Sequence, residues 1–438
     1  MRIRLKPYVR FRMERFGGLV SNTDGRILFV TAEVIRALET RSSSPELYQF
    51  LLHHRIVQQE AICPPALIGD HPEFLLDEIE IPSGMECLSS PLALHLLVTR
   101  RCNLFCPHCA TGGGEVAHHE LTEAELHGLL DEALEMGVFA ISLSGGEPLT
   151  RSDLLPFLAR ADAAGLRVTV LTNGLLLDET ILGHMPRNVS FLVSLDGLGE
   201  GYEYFRGSDN YRIISRTIRL LQESGRQFAL TCMFTRLNKD QTRKVMQRFL
   251  LAEGIPVIPT PVLPLGRARS HEELLLSKDD AEAFVALKQM KREYYATKKA
   301  RSDSPSGQPS FTIDDMTEIF ESAFWACSGT RSDLAVNFDG TVYPCLNCVC
   351  ASVFPLGNIR ETTVKQIWHS SEATKRFRQI TWSDFRRCSG CDIASFCNFR
   401  CPALSLIAHG DPLVCGADAF TQAVIRLGAR QRLSDPLR

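Results

Sequence analysis

The stretch that decides the fold runs from Leu92 to Cys109 and reads LALHLLVTRRCNLFCPHC. Its first half is an almost unbroken apolar run that ends at Thr99, which is typical of a strand buried on both faces. Three cysteines follow directly, at positions 102, 106 and 109. In parallel β/α architectures the functional groups collect at the carboxyl ends of the strands. The sequence therefore predicts a candidate site just after this strand.

The chain on either side of the candidate site alternates between strand and helix patterns. Amphipathic helical stretches such as 122–136 and 211–223 separate the apolar runs. Repeated βα units predict an α/β fold with a parallel sheet and helices outside it, and six units fit a partial (β/α)6 barrel better than a complete eightfold one. We expect this barrel to span residues 93–300. The five further strands are predicted at 139–143, 168–172, 189–195, 228–235 and 256–263.

The N-terminal residues 1–75 are predicted to form a separate module, with a linker at 76–92. An alternating stretch from Tyr8 and a hairpin around Asp24-Gly25 indicate three short strands. Two helices are predicted after them, beginning near Thr31 and Ser44. Strands followed by helices in this order give a winged-helix-like outline.

Charge and hydropathy limit the classes of partner and the cellular location that we expect for the protein. A formal net charge of −3 over 438 residues gives no electrostatic reason to expect nucleic acid or an anionic membrane as a partner. No apolar run reaches the roughly 20 residues that span a bilayer, and the chain start lacks the apolar core of a signal peptide. We therefore expect a cytoplasmic protein.

Cysteine usage points to metal. The chain has fifteen cysteines, with three between 102 and 109 and nine between 327 and 415. Because cytosolic thiols stay reduced, clustered cysteines there usually bind metal rather than form disulfides. Three thiolates in one loop can hold three corners of a [4Fe–4S] cube. Zinc remains an alternative, but a structural zinc site needs a fourth ligand. His108 is poorly placed for that role because it lies between Cys106 and Cys109 in the same loop.

The CxxxCxxC spacing after the first barrel strand resembles the radical S-adenosylmethionine (radical SAM) superfamily. Further motifs of that family stand at the ends of the next strands, as SGGEP (144–148), LTNG (171–174) and SLDG (194–197). The resemblance implies that Cys102, Cys106 and Cys109 hold a [4Fe–4S] cluster whose open iron binds S-adenosylmethionine. The implied cofactor contacts are Gly145, Gly146, Glu147, Pro148, Thr172, Asn173, Ser194 and Arg206, with Glu147 accepting from the methionine ammonium.

The activity implied by this resemblance is radical chemistry. One-electron cleavage of S-adenosylmethionine gives a 5′-deoxyadenosyl radical, which abstracts a hydrogen atom from the substrate. The difficult chemistry belongs to the cofactor, while the barrel orients it and excludes water.

The C-terminal residues 301–438 form the predicted cysteine-rich iron–sulfur domain. Their spacing resembles the seven-cysteine SPASM domain, which implies two auxiliary [4Fe–4S] clusters and therefore three clusters in all. The ligand position beyond the seven-cysteine core is undecided among Cys348, Cys350 and a position that stays open for substrate binding. A pair of zinc sites is the alternative for the region. By resemblance, one cluster takes Cys388, Cys391, Cys397 and Cys415, and the other takes Cys327, Cys345 and Cys401.

The N-terminal module resembles a PqqD-like element, which recognises a leader peptide as an added strand, here against 26–30. DNA binding is disfavoured because the helix around 45–53 carries one acid and no Lys or Arg. The combination indicates a maturase of a ribosomally synthesised peptide that works with a reductant such as flavodoxin or ferredoxin. Alternatives are a maturase of a folded enzyme or a tetrapyrrole, and a non-catalytic electron-transfer protein. The bond formed (cross-link, thioether or similar) and the general base stay open.

Overall fold

The computed structural model describes residues 1–23, 26–58, 86–115, 117–301, 327–394, 397 and 401–433. The predicted turn at Asp24-Gly25 and most of the linker at 76–92 lie outside these residues. None of the helices in the described ranges is both long and apolar enough to cross a bilayer.

The N-terminal module is a three-stranded antiparallel sheet covered by two helices. The strands β1 (Arg10–Glu14), β2 (Gly17–Ser21) and β3 (Ile27–Val30) pair in that order, and the helices are α1 (Ala32–Thr40) and α2 (Pro45–His53). The side chain of Ser44 caps α2 by accepting from the Leu47 N–H at 3.2 Å, and Pro45 suits the first helical position. The predicted strands and helices are therefore present in the predicted order.

The middle of the chain forms the barrel. Its strands are β4 (Ala93–Thr99), β5 (Ala140–Gly145), β6 (Arg167–Thr172), β7 (Ser190–Ser194), β8 (Phe228–Phe234) and β9 (Val257–Pro261). They are parallel and lie side by side in sequence order, which confirms the predicted partial barrel of six βα units. The helices that accompany them are α3 (Glu123–Glu135), α4 (Leu154–Ala163), α5 (Glu179–His184), α6 (Glu200–Arg206), α7 (Asn210–Glu223), α8 (Lys239–Val245) and α9 (Ala281–Arg301).

The C-terminal part joins the same sheet, which the sequence pattern did not reveal. Its strands are β10 (Asp333–Val336), β11 (Thr341–Tyr343) and β12 (Gly357–Asn358). Strand β10 pairs parallel to β4, so the sheet has nine strands in the order β12-β11-β10-β4-β5-β6-β7-β8-β9. The helices are α10 (Leu346–Ala351), α11 (Val364–Ser370), α12 (Glu372–Arg378), α13 (Pro402–His409) and α14 (Ala419–Leu433).

Strand β4 separates two cores because its side chains alternate between the faces of the sheet. Leu94, Leu96 and Val98 pack outward in the large core between the sheet and the barrel helices. Leu97 points inward and packs with residues of β10, β11, α10 and α13, namely Ala335, Tyr343, Cys348, Val349 and Ala403. Helix α10 therefore covers the inner face of the first barrel strand.

A buried ion pair fixes the N-terminal module to the barrel. The Arg12 side chain is only 9% exposed and contacts Glu14 at 2.7 Å. Its guanidinium also donates to the Ser90 and Pro91 carbonyls at 2.7 and 3.0 Å, while Glu14 accepts from the Ser89 N–H at 3.0 Å. The pair satisfies backbone groups that precede β4, so it ties the module to the strand that leads into the candidate site.

Replacing this arginine tests the junction. In Arg12→Ala the Glu14 carboxylate stays buried without its counter-charge, so we expect the free energy of unfolding to fall by about 3–5 kcal/mol. Denaturant unfolding of the purified protein measures the change. The exposed Arg36→Ala is the control and is expected to stay within about 0.5 kcal/mol of the parent. Equal stabilities of the two variants would contradict the proposed role of the ion pair.

Candidate active site

The three sequence-predicted cysteines lie in one closed loop at the carboxyl end of β4, here called the cysteine loop (residues 100–114). Its base is closed by two backbone hydrogen bonds, from Cys102 N to Gly114 O at 2.8 Å and from Gly114 N to Arg100 O at 2.9 Å. A turn from Cys109 N to Cys106 O at 3.3 Å draws the last two thiols together. The structure thus brings Cys102, Cys106 and Cys109 to the mouth of the barrel.

The glycine pair at the end of β5 packs directly against the base of the cysteine loop. Gly146 N donates to Thr99 O at 2.7 Å, and Glu147 N donates to Arg101 O at 2.7 Å. A Cβ at Gly145 would lie 2.2 Å from Thr99 O, and one at Gly146 would lie 2.1 Å from Arg101 O. Glycine is required here because two backbones meet in contact, and this leaves no room for any side chain.

A segment after β9 supports the other side of the loop. The Arg267 side chain donates from Nε to Cys106 O at 2.8 Å and from Nη1 to Gly113 O at 2.6 Å. Its guanidinium lies 3.9 Å from the centre of the Phe105 ring, a cation–π contact with a side chain that is 77% exposed. The structure therefore places Arg267 against the cysteine loop, where it holds two of the loop's carbonyl groups.

The three thiols have different electrostatic surroundings. Burial raises the pKa of Cys102 and of Cys106. Burial also acts to raise the pKa of Cys109, but hydrogen bonds from Thr111 and the Gly113 backbone, with the Arg267 charge, lower it overall. Cys109 is therefore the thiol most easily converted to the thiolate that binds metal.

A buried carboxylate links the cysteine loop to two other strand ends. Asp196, 1% exposed, lies 3.1 Å from His108 Nε2 and 2.6 Å from Arg206 Nε, and accepts from the Met233 N–H at 2.8 Å. Burial alone would raise the pKa of Asp196, but the charges of Arg206 and His108 outweigh it and hold the pKa well below its usual value. The ionised carboxylate therefore holds the loop, β8 and Arg206 in one arrangement.

Glu147 is fully buried and already engaged by the protein. Its oxygens accept from Thr172 Oγ1 at 2.8 Å, Asn173 N at 2.7 Å and Leu149 N at 3.1 Å. Burial raises the pKa of Glu147 and these hydrogen bonds oppose that effect. The Asn173 amide also donates to Asn103 Oδ1 at 2.8 Å, so the third strand end reaches the cysteine loop. A direct contact between Glu147 and a cofactor stays a prediction.

The remaining predicted cofactor contacts surround the same mouth. Pro148 is buried at the start of a short 3-10 turn after the glycine pair. Ser194 ends β7, and because it alternates with the core residue Val193 it faces the barrel interior. Among the described residues, the two terminal nitrogens of Arg206 have no hydrogen-bond partner, since Asp196 uses only its Nε. Arg206 therefore keeps two charged donors for an anionic group.

The C-terminal cysteines are predicted to form two sets of cluster ligands, and the structure describes part of each. Cys345 Sγ lies 3.7 Å from Cys348 Sγ, and the contact between the two thiols lowers the pKa of Cys345. Burial raises the pKa of Cys401 to about 11, with the Cys345 charge adding to it, and Cys327 is affected in the same way. Short turns from Cys391 N to Cys388 O and from Ala394 N to Cys391 O shape the backbone around Cys388 and Cys391, and a bond from Arg386 N to Leu413 O brings the segment before Cys415 beside it. The grouping of Cys388, Cys391, Cys397 and Cys415 at one cluster stays a prediction.

The donor chemistry fits iron–sulfur clusters. Soft thiolates from short loops are the ligands that [4Fe–4S] clusters take, and each described cysteine is a free thiol. Within the described residues, no three His, Cys, Asp or Glu groups lie close enough together to hold a single metal ion. His108 Nδ1, on a side chain that is 3% exposed, has no partner among these residues, so the cysteine loop retains a buried polar atom for a bound group.

Sequence reasoning missed the parts of the site that come from far along the chain. Asp196 was noticed only as part of a motif, and its position two residues after Ser194 at a strand end was the available signal. Arg267 is separated from the cysteine loop by about 160 residues, and nothing in its local sequence indicates the contact. His108 was weighed only as a zinc ligand, whereas it binds Asp196.

Comparisons with known proteins identify the domains. Residues 96–249 match the radical SAM superfamily, and residues 327–392 match the SPASM iron–sulfur cluster-binding domain. AdoMet-dependent heme synthase of Methanosarcina barkeri is 28% identical over 347 residues, covering 74% of this chain and 95% of the relative. PqqA peptide cyclase of Xanthomonas campestris is 27% identical over 367 residues, covering 80% and 93%. Streptococcus suis SuiB bound to the precursor peptide SuiA shares the fold with a TM-score of 0.70 at 16% identity, covering 96% of this chain and 100% of that one.

Removing the buried carboxylate tests the site's electrostatics. In Asp196→Ala the Arg206 guanidinium loses its counter-charge, so we expect the free energy of unfolding at pH 7 to fall by about 3–5 kcal/mol. Because the folded pKa is lowered, the stabilisation is present above the unfolded pKa of about 3.9 and is lost as the pH falls through the folded pKa. Denaturant unfolding between pH 7 and pH 3 measures both effects.

The exposed Asp240→Asn is the control for this series. The ionised Asp196 stabilises the parent and the control down to about pH 4, and both then lose that contribution as the pH falls. Asp196→Asn keeps the side-chain shape but lacks this pH-dependent term. An acid limb in Asp196→Asn as steep as in the parent would contradict the assignment.

Proposed function

We propose that this chain, which carries a radical SAM domain followed by a SPASM domain, modifies a ribosomally synthesised peptide by abstracting a hydrogen atom from it. The observation that carries the proposal is the three-thiol cysteine loop held over the barrel mouth by the glycine pair of β5. A substrate can react at this mouth only if it can enter the barrel. Within the described residues the nine-stranded sheet does not close on itself, so the barrel is open on one side.

The residues present fit three [4Fe–4S] clusters and S-adenosylmethionine. We assign one cluster to the cysteine loop and two to the C-terminal cysteines. When bound, the loop cluster and S-adenosylmethionine supply one-electron cleavage of the sulfonium, which yields a hydrogen-atom abstractor. The protein's part is to hold these groups in place and to keep water from the reacting atoms.

Groups at four strand ends would hold the cofactor. Arg206 offers two charged donors to a carboxylate, an interaction roughly twice as strong as a neutral hydrogen bond. Asp196 keeps that guanidinium in position, and the short backbone contact at Gly146 sets the distance from β5 to the cysteine loop. Ser194 faces the interior between them as a polar contact. Glu147 supports the two strand ends through Thr172 and Asn173.

Two observations support a peptide as the substrate, namely the similar proteins and the N-terminal module. PqqA peptide cyclase acts on a peptide by its name, and SuiB was solved with a precursor peptide on a fold that covers the module as well. Strand β3 lies at the edge of its sheet, so its outer backbone groups are suited to accept a leader peptide as a fourth strand. We propose that the module is a PqqD-like leader-recognition element.

A tetrapyrrole is the second candidate substrate. The observation that favours it is the 28% identity to AdoMet-dependent heme synthase. The three-stranded module with its sheet edge favours the peptide, because a small tetrapyrrole needs no added strand for its capture. A purely electron-transferring protein is disfavoured because the glycine pair and Arg206 form a binding site beside the cysteine loop.

The partners and setting follow from the same chemistry. Cleavage of the sulfonium consumes an electron, so we propose a low-potential reductant such as flavodoxin or ferredoxin as a partner. We place the protein in the cytoplasm, where thiols stay reduced and available to iron.

Iron content and cofactor cleavage test the proposal. After anaerobic reconstitution we expect about twelve irons per chain and release of 5′-deoxyadenosine on reduction with dithionite. Cys106→Ala removes a loop thiolate, so we expect about eight irons and no detectable release. The lone half-buried Cys87→Ala is the control and is expected to match the parent in both measurements.

Zinc in place of iron, or no cleavage by the reconstituted parent, would overturn the catalytic proposal. For a parent protein that does cleave the cofactor, the substrate class is tested by searching the neighbouring sequence for a short precursor-peptide reading frame. The peptide found is incubated with the loaded enzyme and analysed by mass spectrometry. A hydrogen-loss product of that peptide supports peptide modification. Turnover of a tetrapyrrole and an unchanged peptide would favour the second candidate.

A further inference from the structure

Helix α10 carries two cysteines whose roles the sequence left open. Cys348 and Cys350 are two positions apart, so on a helix their side chains point about 200° away from each other. The structure agrees with this separation, because Cys348 is 1% exposed in the core between α10 and β4, whereas Cys350 is only half-buried. The two thiols therefore have different surroundings although they share one short helix.

Cys348 faces the other cysteines of the C-terminal domain. Its Sγ lies 3.7 Å from that of Cys345. Cys345 and Cys401 pack against the same small core as Cys348. Cys327 Sγ and the Cβ of Pro344, the neighbour of Cys345, both lie beside Gly329, 3.4 and 3.0 Å from where its Cβ would be. These four cysteines come from three segments, namely the one before β10, the start of α10 with Cys345 and Cys348, and the start of α13. The packing of these segments brings the four cysteines to one side of α10.

Cys350 faces the barrel mouth instead. It lines a cavity of about 210 Å³ together with Thr99, the glycine pair of β5 and Asn337. Thr111 of the cysteine loop lines the same cavity, and its Oγ1 lies 3.4 Å from Cys109 Sγ. Asn337 Oδ1 is buried without a partner among the described residues, so this cavity offers a polar lining beside the cysteine loop. Cys350 thus borders the space between the radical SAM domain and the SPASM domain.

We propose that Cys348 completes the auxiliary cluster site of Cys327, Cys345 and Cys401, and that Cys350 stays a free thiol facing the cavity at the barrel mouth. The assignment rests on the iron–sulfur loading in the proposed function, not on the identity of the substrate. It gives the auxiliary site four thiolate ligands, so that site has no iron open to the substrate.

Packing prevents the two cysteines from exchanging roles. To turn Cys350 toward Cys345, α10 would have to rotate by about half a turn. That rotation would remove Cys348 and Val349 from their contacts with Leu97 and Ala335. Close packing of these side chains in the core therefore fixes the observed orientation of the helix.

The matched pair Cys348→Ala and Cys350→Ala tests the assignment. Both variants are reconstituted anaerobically as full chains, and iron, sulfide and the electron paramagnetic resonance spectrum of the reduced protein are measured. We expect Cys350→Ala to keep about twelve irons and the parent spectrum. Cys348→Ala is expected to fall to about eight irons or to lose the parent's auxiliary signal. The proposal would be overturned if Cys350→Ala lost iron while Cys348→Ala kept about twelve irons. It would also be overturned if both variants kept about twelve irons and the parent spectrum.

A second measurement on the parent protein remains decisive if Cys348→Ala fails to fold. The loaded holoenzyme is treated anaerobically with iodoacetamide, digested and mapped by mass spectrometry. We expect alkylation at Cys350 and protection at Cys348, with Cys106 as the protected reference. Alkylation of Cys348, or protection of Cys350, would overturn the proposal. Cofactor cleavage by the parent with dithionite is measured in parallel, so failure of the proposed function is recognised separately.

Discussion

The structure depends on one close contact between two backbones, where the end of β5 meets the base of the cysteine loop. Gly145 and Gly146 have no side chains, and this lets the loop's carbonyls accept hydrogen bonds at 2.7 Å from the strand that follows. A single methyl group there would push the two backbones apart. The loop thiols, the glycine turn and the cavity beside Cys350 all take their positions from this contact.

Ion pairs and hydrogen bonds hold the charged side chains around that contact in fixed positions. Asp196 neutralises Arg206 and binds His108, so a single buried carboxylate serves the cofactor side and the cysteine loop together. Arg267 holds the loop from the opposite side through two carbonyls. Buried charges of this kind are costly unless each is paired, and here each has a partner. Pre-set partners of this kind keep the site in one geometry before any substrate binds.

Local sequence predicted those parts of the site that are encoded by neighbouring residues. The apolar period gave the six strands, and the loop cysteines and the glycine pair stood at strand ends as expected. Contacts between distant segments could not be predicted in this way, because no local sequence pattern encodes them. The pairing of β10 with β4, the bonds from Arg267 and the opposite orientations of Cys348 and Cys350 belong to this group. The three-dimensional packing of the core decides them.

The pairing of β4 with β10 also shapes how the chain acquires its structure. Asp333 pairs with Ala93, about 240 residues earlier, so the first barrel strand waits for its outer neighbour until most of the protein has been made. At about 5–20 residues per second, that wait lasts about 12–48 seconds on the ribosome. During this time β4 is an uncovered edge that invites association with other chains. Production of intact protein therefore favours a low concentration of nascent chains or a chaperone that shields this strand.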